Sequence, residues 1–320
     1  MSKNYLVTGG AGFIGSQTAL RLAKRGDSVV VIDDFNDGLY PSQLKRDRVK
    51  NLLEPHNIPV IELDMRDKEA LDKLFSERSF DHICHLGAWA GVKTSIARPE
   101  MYESVNIVGT RHIFDMAVKY HIPHVVYASS SSVYGANKKL PFSEEDRVDQ
   151  PMAPYALSKR ANELQAYYYN NLYGLKSTGL RFFTVYGPWG RPDMALFILT
   201  GQILAGTPIK LNNFGNMKRD FTFIDDIVDG VIASLDRPFD YEIINLGASN
   251  TVTLGQFVET IEKVTGKQAK KELLPMPPGE VEATSADVSK ATRLLDYQPK
   301  YTISTGIPKF WEWYKEYYNV

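Results

Sequence analysis

Cysteine and metal-ligand patterns are nearly absent from this sequence. Its 320 residues include a single cysteine, Cys84, so no intrachain disulfide can form. Such sparse use of cysteine fits a reducing compartment, and the apolar neighbours of Cys84 predict a buried thiol. The six histidines lack the spacing of metal ligands, and we expect no metal.

Charge of one sign and long apolar runs are lacking too. The 37 Lys and Arg residues balance 38 Asp and Glu residues, and the net charge of −1 gives no overall field for nucleic acid or an anionic membrane. The locally basic stretch at 45–50 mixes both signs, and we expect it to be a solvated helix face. No apolar run approaches ~18 residues and no signal-peptide core is present, so we expect a soluble, cytoplasmic protein.

Glycine is concentrated in a turn near the N-terminus. A short apolar strand at 4–8 precedes the run G-G-A-G-F-I-G at 9–15, and a helical pattern follows over 12–25. Glycines at this spacing allow a tight turn, close approach of the backbone to a pyrophosphate, and close helix–strand packing. Free N–H groups at the helix N-terminus would receive the phosphates. The cofactor contacts predicted in this run are Gly9, Gly12, Phe13, Ile14 and Gly15.

Two carboxylates follow the next strands of this segment. The apolar strand at 28–32 ends in Asp33, where a carboxylate accepts hydrogen bonds from a ribose 2′-hydroxyl and repels a 2′-phosphate, so NAD is favoured over NADP. The strand at 60–63 ends in Asp64, which could reach an adenine edge. A simple N-cap for the helix after Asp64 explains that residue nearly as well.

A tyrosine and a lysine form the candidate catalytic pair. Tyr155 and Lys159 are one helical turn apart on one face. A cation there lowers the pKa of a phenol from ~10, which gives a general base for an alcohol that loses a hydride to a nicotinamide. The pair alone could be an aromatic and a solvated lysine, but the glycine turn favours catalysis. Ser130 directly follows a strand predicted at 124–129, and at this carboxyl end its hydroxyl would point into the ligand cleft.

Strands and helices alternate through the first ~180 residues, which predicts the α/β class with a Rossmann-type, doubly wound parallel sheet. After that the pattern loosens. We expect a dinucleotide-binding domain at 1–186 with a return at about 219–247, and a smaller, interleaved substrate lobe within 187–320. Strands are predicted at 4–8, 28–32, 60–63, 81–86, 124–129 and 177–183, and helices at 12–25, 67–76, 100–120 and 154–173.

Seven motifs occur in order: G-x-x-G-x-x-G, S-S-S-V-Y-G, Y-x-x-x-K, R-F-F-T-V-Y-G-P, R-D-F-T-F-I-D-D, N-L-G and A-D-x-S-K-A. Over essentially its whole length the chain resembles the extended short-chain dehydrogenases/reductases, in their nucleotide-sugar epimerase and dehydratase branch. The resemblance implies that Tyr155 is the base, Lys159 its activator and nicotinamide-ribose anchor, and Ser130 a hydrogen-bond partner of the sugar C4 oxygen. It also implies NAD contacts at Asp33, Asp64, Met65, Leu86, Ala88 and Asn106, and substrate contacts at Lys93, Thr184, Arg219 and Asp287. A surface ion pair with Asp220 or Asp225 remains open for Arg219, and turn or cap chemistry for Asp287.

The two residues after Ser130 limit which reaction can follow formation of the 4-keto sugar. The resemblance implies that dehydratases carry Asp-Glu there, and decarboxylases a Glu two positions after the Ser or Thr, for acid–base work at C5 and C6. Ser131 and Ser132 occupy those positions here. Epimerisation at C4, with hydride removed and returned, is therefore the expected outcome.

The substrate is predicted from the run T-V-Y-G-P-W-G-R-P-D-M-A at 184–195 and N-F-G-N-M-K-R-D-F-T at 213–222, which resemble the UDP-glucuronate 4-epimerases. A C6 carboxylate would accept hydrogen bonds from Ser131, Ser132 and Thr184. Arg191 is the nearby cation, although it could also order its loop between two prolines. The expected reaction converts UDP-glucuronate to UDP-galacturonate.

Three other functions stay open: a UDP-glucose or UDP-N-acetylglucosamine 4-epimerase, a UDP-glucuronate decarboxylase, and a non-catalytic NAD-sensing protein. Ser132 argues against the decarboxylase, and the intact set of Ser130, Tyr155 and Lys159 argues against the sensor. The resemblance also implies a homodimer, in which helices near 100–120 and 154–173 of two copies form a four-helix bundle.

Overall fold

The computed structural model describes residues 2–276 and 281–320. Of the Pro- and Gly-rich run at 275–279, which the sequence assigns to the smaller lobe, residues 277–279 lie outside the described residues. The strands are β1 Asn4–Thr8, β2 Ser28–Asp33, β3 Val60–Glu62, β4 His82–His85, β5 His124–Ser130, β6 Lys176–Phe182, β7 Thr184–Tyr186, β8 Ile209–Leu211, β9 Lys218–Phe223, β10 Tyr241–Leu246, β11 Thr251–Thr253 and β12 Lys271–Leu273. The helices are α1 Phe13–Lys24, α2 Gln43–Arg48, α3 Lys68–Glu77, α4 Val92–Ala97, α5 Pro99–Met101, α6 Thr110–Lys119, α7 Pro154–Tyr173, α8 Ala195–Ala205, α9 Ile224–Asp236, α10 Leu254–Thr265, α11 Ser289–Leu295 and α12 Ile303–Tyr318.

Seven parallel strands form the central sheet in the order β3-β2-β1-β4-β5-β6-β10. The predicted α/β class with a doubly wound parallel sheet is confirmed. The chain winds outward from β1 to β3 and then crosses to β4 on the other side of β1. That reversal opens a crevice at the carboxyl ends of β1 and β4, where sheets of this kind bind ligands.

The segment at about 219–247, which was predicted to return to the central sheet, supplies the edge strand β10. β10 pairs with β6, so the central sheet gains a strand from beyond residue 187. The other late strands form two small sheets, with orders β11-β9-β7 and β12-β8. The domain boundaries themselves stay a prediction.

Apolar residues alternate along the strands and supply a core on each face of the sheet. On β1, Leu6 packs in one cluster with Phe114, whereas Tyr5 and Val7 pack in the other with Ile227. A third cluster lies between the small sheets and α8, α10 and α12. Because both faces are covered, the ligand-binding groups are confined to the strand ends and the loops after them.

Two predictions of local structure need correction. The helix predicted at 100–120 is present, but a π-helical stretch at Tyr102–Gly109 separates α5 from α6. The basic stretch at 45–50 is not a solvated face throughout, since Lys45 is 9% exposed and Arg48 is 0% exposed. Both side chains turn inward because they donate hydrogen bonds to buried acceptors. Lys45 donates to a carboxylate, and Arg48 donates to backbone carbonyls. In the described ranges, no helix is both long and apolar enough to cross a membrane.

Candidate active site

The glycine turn between β1 and α1 has the geometry that a dinucleotide needs. Gly9 has φ +65°, in the left-handed region, and a Cβ on Gly15 would lie 2.2 Å from the Gly9 carbonyl oxygen. α1 begins with Gly12 as its N-cap, and no side chain caps it. The first amides of a helix lack intrahelical partners, so Phe13 and Ile14 present N–H groups to a phosphate. The turn therefore fits the pyrophosphate of NAD.

Asp33 ends β2 directly beside this turn. Its carboxylate is 6% exposed, accepts a hydrogen bond from the Ala11 amide at 3.2 Å and one from the Phe35 amide at 3.0 Å. Lys45 Nζ lies 3.0 Å from the same carboxylate. This contact could not be predicted from the sequence, because it depends on how α2, which carries Lys45, packs against β2. These bonds hold the carboxylate beside the glycine turn, and the ribose contact of Asp33 stays a prediction.

Asp64 follows β3 and pairs with its near neighbour. Its carboxylate accepts from the Arg66 amide at 2.8 Å and from Arg66 Nη2 at 2.5 Å. α3 is capped instead by Asp67, which accepts from the Ala70 amide at 3.0 Å. The alternative that Asp64 caps this helix is therefore wrong, while its adenine contact stays a prediction.

Asn106 holds the loop after β4 in place. It is 0% exposed, accepts from the Trp89 amide at 2.8 Å, and donates to the Trp89 carbonyl at 2.8 Å and to Ser158 Oγ at 3.0 Å. Its side-chain bonds thus run to protein groups, which favours a positioning role over the direct NAD contact that was predicted. Leu86 and Ala88, on the loop that Asn106 holds, are half-buried at the crevice.

Met65 lies on the floor of the same crevice. It is buried, and a Cβ on Gly109 would come within 2.8 Å of its Cγ. Its sulfur lies 3.4 Å from the position of a Cβ on Gly87. The predicted NAD contact of Met65 is compatible with this position beside the loop after β4.

The three predicted catalytic side chains meet at the ends of β5 and α7. Tyr155 is half-buried on the first turn of α7, and Ser130, 8% exposed, ends β5 and hydrogen-bonds to the Tyr155 phenol. Lys159 is 3% exposed, and its Nζ donates to the Ala128 carbonyl at 2.9 Å. The base, its hydroxyl partner and the lysine are therefore within one small, largely desolvated space.

The electrostatics of this space differ from the prediction. Burial raises the pKa of the Tyr155 phenol, although a hydrogen bond from Ser130 and the charge of Arg191 act to lower it. Burial also lowers the pKa of Lys159 to about 7. Desolvation outweighs the groups that act to lower the Tyr155 pKa, and Lys159 Nζ donates to the Ala128 carbonyl; the activating role of Lys159 stays a prediction. Arg191, not Lys159, is the cation that counteracts burial at the phenol.

A cluster of hydroxyls adjoins the base. Ser132 Oγ donates to Ser130 Oγ at 3.0 Å, and the Ser132 amide donates to the same oxygen at 3.2 Å. Ser132 belongs to a short 3-10 turn, Ser131–Tyr134, for which Ser130, the last residue of β5, is the N-cap. No carboxylate occupies the two positions after Ser130, so the turn offers hydrogen-bond donors without a second acid or base.

Arg191 reaches this region from the loop after β7. Its side chain is 19% exposed and forms two contacts with Asp193, from Nε at 3.0 Å and from Nη2 at 2.5 Å. Its Nη2 also lies 3.4 Å from the Ala90 carbonyl oxygen. Thr184, which starts β7, lines a small cavity together with Arg191. Arg191 forms an ion pair with Asp193 in its own loop, and its charge also acts to lower the pKa of Tyr155. Loop ordering and substrate binding therefore both remain open as its role.

The other predicted substrate residues lie further out. Lys93 is exposed on α4. Arg219 is on β9, and its Nη1 donates to the Lys218 carbonyl at 2.8 Å. Asp287 accepts from the Ser289 amide at 2.9 Å, which is turn chemistry before α11. Their substrate contacts stay predictions, and for Asp287 the geometry favours the turn.

A buried ion pair behind the catalytic residues was missed. Glu163 lies on the face of α7 that carries Lys159, and it binds Arg181 Nε at 2.8 Å and the Ser129 hydroxyl at 2.6 Å. The side chains of Glu163 and Arg181 are 0% and 3% exposed. Two signals could have revealed the pair: a glutamate four residues after Lys159, and an arginine inside an apolar strand.

Comparison with known proteins shows the family to which this chain belongs. Residues 5–247 match the sequence model of the NAD dependent epimerase/dehydratase family. The chain is 45% identical to UDP-glucuronate 4-epimerase 4 of Arabidopsis thaliana, over 98% of this chain and 76% of that protein. It is similar to the crystal structure of UDP-glucuronic acid 4-epimerase from Bacillus cereus in complex with UDP-glucuronic acid and NAD, with a TM-score of 0.91, 35% identity, and 98% and 100% of the two chains covered. It is also similar to UDP-glucose 4-epimerase from Thermotoga maritima, with a TM-score of 0.89, 28% identity, and 98% and 99% covered.

Proposed function

The chain belongs to the NAD dependent epimerase/dehydratase family, and from that premise we propose that it interconverts UDP-glucuronate and UDP-galacturonate at C4. The observation that carries the proposal is the setting of Tyr155. Ser130, one of a cluster of serine hydroxyls, hydrogen-bonds to the phenol, the charge of Arg191 acts to lower its pKa, and no carboxylate stands at positions 131 and 132. The similar proteins named as UDP-glucuronate 4-epimerases support the same substrate.

The chain's own groups supply the proton chemistry. Tyr155, as phenolate, accepts the proton of the C4 hydroxyl, while Ser130 holds the C4 oxygen by a hydrogen bond. NAD supplies the acceptor, and later the donor, of the hydride at C4. Rotation of the 4-keto sugar presents its other face, and Tyr155 then returns the proton to the C4 oxygen. The configuration at C4 is inverted and no external reductant is consumed.

The carboxylate of the substrate explains why hydroxyls are useful here. A 4-keto uronic acid is a β-keto acid and loses CO2 readily. Hydrogen bonds from Ser131, Ser132 and Thr184, with the charge of Arg191, would hold the carboxylate in a polar environment that opposes its departure. A glutamate at position 132 would repel that carboxylate and could act as an acid.

The direct test is incubation with three substrates: UDP-glucuronate, UDP-glucose and UDP-N-acetylglucosamine, with products separated by chromatography. We expect UDP-glucuronate to give UDP-galacturonate without a pentose product. Ser132→Glu should raise the pentose by-product. Conversion of UDP-glucose at an equal or higher rate would instead support a neutral-sugar epimerase, and absence of turnover on all three would support an NAD-sensing protein.

Arg191→Ala tests whether this cation recognises the acid. Loss of a charge-assisted hydrogen bond costs ~1.5–3 kcal/mol, so kcat/KM for UDP-glucuronate should fall about ten- to a hundred-fold. The decrease should be larger than that for UDP-glucose, and the ratio of the two substrates cancels any effect through Tyr155. Arg147→Ala is the matched control, because Arg147 pairs with Asp149 at the same spacing but is 87% exposed. Equal losses on both substrates would assign Arg191 to a role other than reading the carboxylate.

We propose that two copies pair through α7 and the segment 99–119. α7 carries an apolar stripe on its solvent side, whose members are Leu157, Leu164, Tyr168 and Leu172, between 36% and 64% exposed. Val108, 38% exposed, lies on the neighbouring helical segment. Leu164→Glu should convert a dimer to a monomer in analytical ultracentrifugation. A parent protein that is monomeric at micromolar concentration would refute the bundle.

A cytoplasmic location is part of the same proposal. The single cysteine is consistent with a reducing compartment, and burial raises the pKa of the Cys84 thiol, which keeps it unreactive. Cell fractionation followed by the UDP-glucuronate assay would test it, since activity in a membrane or extracellular fraction would contradict it.

A further inference from the structure

Arg48 is buried where the cofactor turn and the substrate loop meet. It ends α2, is 0% exposed, and donates from Nε to the Trp189 carbonyl at 2.9 Å and from Nη2 to the Gly190 carbonyl at 3.0 Å. Its Nη1 donates to the Ala11 carbonyl at 3.2 Å and to the Tyr40 hydroxyl at 3.0 Å. One side chain thus bonds to both segments.

Among the described residues, the charge of Arg48 has no carboxylate counterpart. All four of its acceptors are neutral, and within residues 2–276 and 281–320 no acid forms an ion pair with it. The adjacent Asp47 accepts a hydrogen bond from Tyr317 instead. Burial of a guanidinium without a carboxylate is costly for folding, even when its N–H groups are bonded. Its N–H groups satisfy three backbone carbonyls in two separate segments, so Arg48 holds those segments together.

The loop that Arg48 holds adopts an unfavourable backbone. Trp189 has φ +62°, which a residue with a side chain rarely adopts, and Gly187 has φ +147°. The Trp189 indole packs on Trp313, with ring centroids 5.2 Å apart. Arg191 follows this pair of carbonyls directly. Its position in the cleft therefore depends on the bonds that fix Trp189 and Gly190.

We propose that Arg48 is a positioning residue that couples the two sites. Binding of NAD fixes the glycine turn and with it the Ala11 carbonyl, so Arg48 is held in the orientation that fixes the Trp189 and Gly190 carbonyls. The loop is then ordered before the substrate arrives, and less ordering entropy is lost on substrate binding. NAD and UDP-glucuronate therefore bind with positive cooperativity. The inference rests on the proposed position of the substrate beside Arg191.

The test measures coupling and needs no turnover. In a Tyr155→Phe background, the affinity for UDP-glucuronate is measured by calorimetry with saturating NAD and after NAD has been removed. We expect NAD to tighten binding at least ~5-fold, the lower end of typical coupling between sites. Arg48→Met removes all the donors, and Arg48→Lys keeps a cation but cannot bridge four acceptors, so both should reduce the factor to about two-fold or less.

Arg46→Met is the matched control. Arg46 is on the same helix, its side chain is 52% exposed, and its partner Glu62 lies 3.4 Å away at the surface. This variant should keep the coupling of the parent. If Arg48→Met does not fold, Arg48→Lys decides the question. Full coupling in either Arg48 variant that folds, or no coupling in the parent, would overturn the inference.

Arg191→Ala in the same background separates this inference from the proposed function. Weaker binding of UDP-glucuronate by Arg191→Ala, together with intact coupling in the Arg48 variants, would refute the coupling role alone. Unchanged affinity in Arg191→Ala would refute the proposed position of the substrate, whatever the Arg48 variants show.

Discussion

Glu163→Gln should strongly destabilise the fold although it removes no volume. The Glu163 carboxylate is 0% exposed and binds Arg181 through two contacts, at 2.8 and 3.0 Å, while Arg181 is 3% exposed. The amide would leave the Arg181 charge buried without its counter-charge and would weaken the bond from Ser129. Removal of one partner of such a pair costs ~3–5 kcal/mol. That is a large part of the ~5–15 kcal/mol by which proteins of this kind are stable.

Urea denaturation of the parent and the variant measures the loss. Glu77→Gln is the control, because Glu77 and Lys73 are 59% and 76% exposed and 3.9 Å apart, and such a pair contributes ~0.5 kcal/mol or less. Arg181→Met in addition to Glu163→Gln should recover part of the stability, since the unpaired charge is then gone. A loss below ~1 kcal/mol for Glu163→Gln would refute the view that the buried Arg181 depends on this carboxylate.

The Glu163–Arg181 pair should also make the stability of the fold depend on pH. Burial acts to raise the pKa of Glu163, but the hydrogen bonds and charge of Arg181 outweigh it, so the pKa lies below the usual 4.5. A carboxyl with a lowered folded-state pKa stabilises the protein above its ordinary pKa, and that contribution is lost as pH falls through the folded value. The difference in unfolding free energy between parent and Glu163→Gln should therefore be constant at neutral pH and shrink below about pH 4.5.

Three further predictions concern the chemistry. Tyr155→Phe should lower turnover by ~10²–10⁴ while NAD binding persists, and retention of more than about a tenth of the activity would remove Tyr155 as the base. Asp33→Ser should weaken NAD more than NADP in a direct binding assay, because the carboxylate that accepts from the ribose and repels a 2′-phosphate is lost; equal changes would contradict the ribose contact. Arg191→Ala removes a cation that lowers the Tyr155 pKa, so the acidic limb of the kcat/KM profile should move to higher pH, and an unmoved limb would mean that Arg191 does not act on the phenol.

Local signals in the sequence were strong enough to place most elements. α7 begins and ends at the predicted residues, 154 and 173, because Pro154 suits the first helical turn and Gly174, with φ +67°, ends the helix. Strand positions followed from apolar runs that are buried on both faces of the sheet. The meeting of Ser130 and Tyr155 could be predicted too, since both lie at the ends of such elements, while their catalytic roles stay a prediction.

Contacts between distant segments could not be predicted in this way. Arg48 and Trp189 are 141 positions apart, and nothing in the local pattern of either residue indicates the other. The complete burial of the Arg48 side chain likewise depends on distant segments that pack over it, so the local sequence does not indicate it. The same limit applies to Tyr155: the spacing of Lys159 is visible in the sequence, whereas the desolvation that raises the pKa of the phenol is not.

Tyr155 and Arg191 are held in place by different parts of the fold, which bears on how the site selects its substrate. Tyr155 and Ser130 sit on α7 and β5, and the buried Glu163–Arg181 pair joins the same helix to β6, so the base has little freedom to move. Arg191 sits on a loop with two left-handed backbone positions, one of them at Trp189, and depends on Arg48 for its placement. Changes in that loop can therefore alter which sugar is held without disturbing proton transfer at C4. Specificity should respond to substitutions around Arg191 and Arg48, whereas loss of the buried pair should reduce activity on every substrate alike.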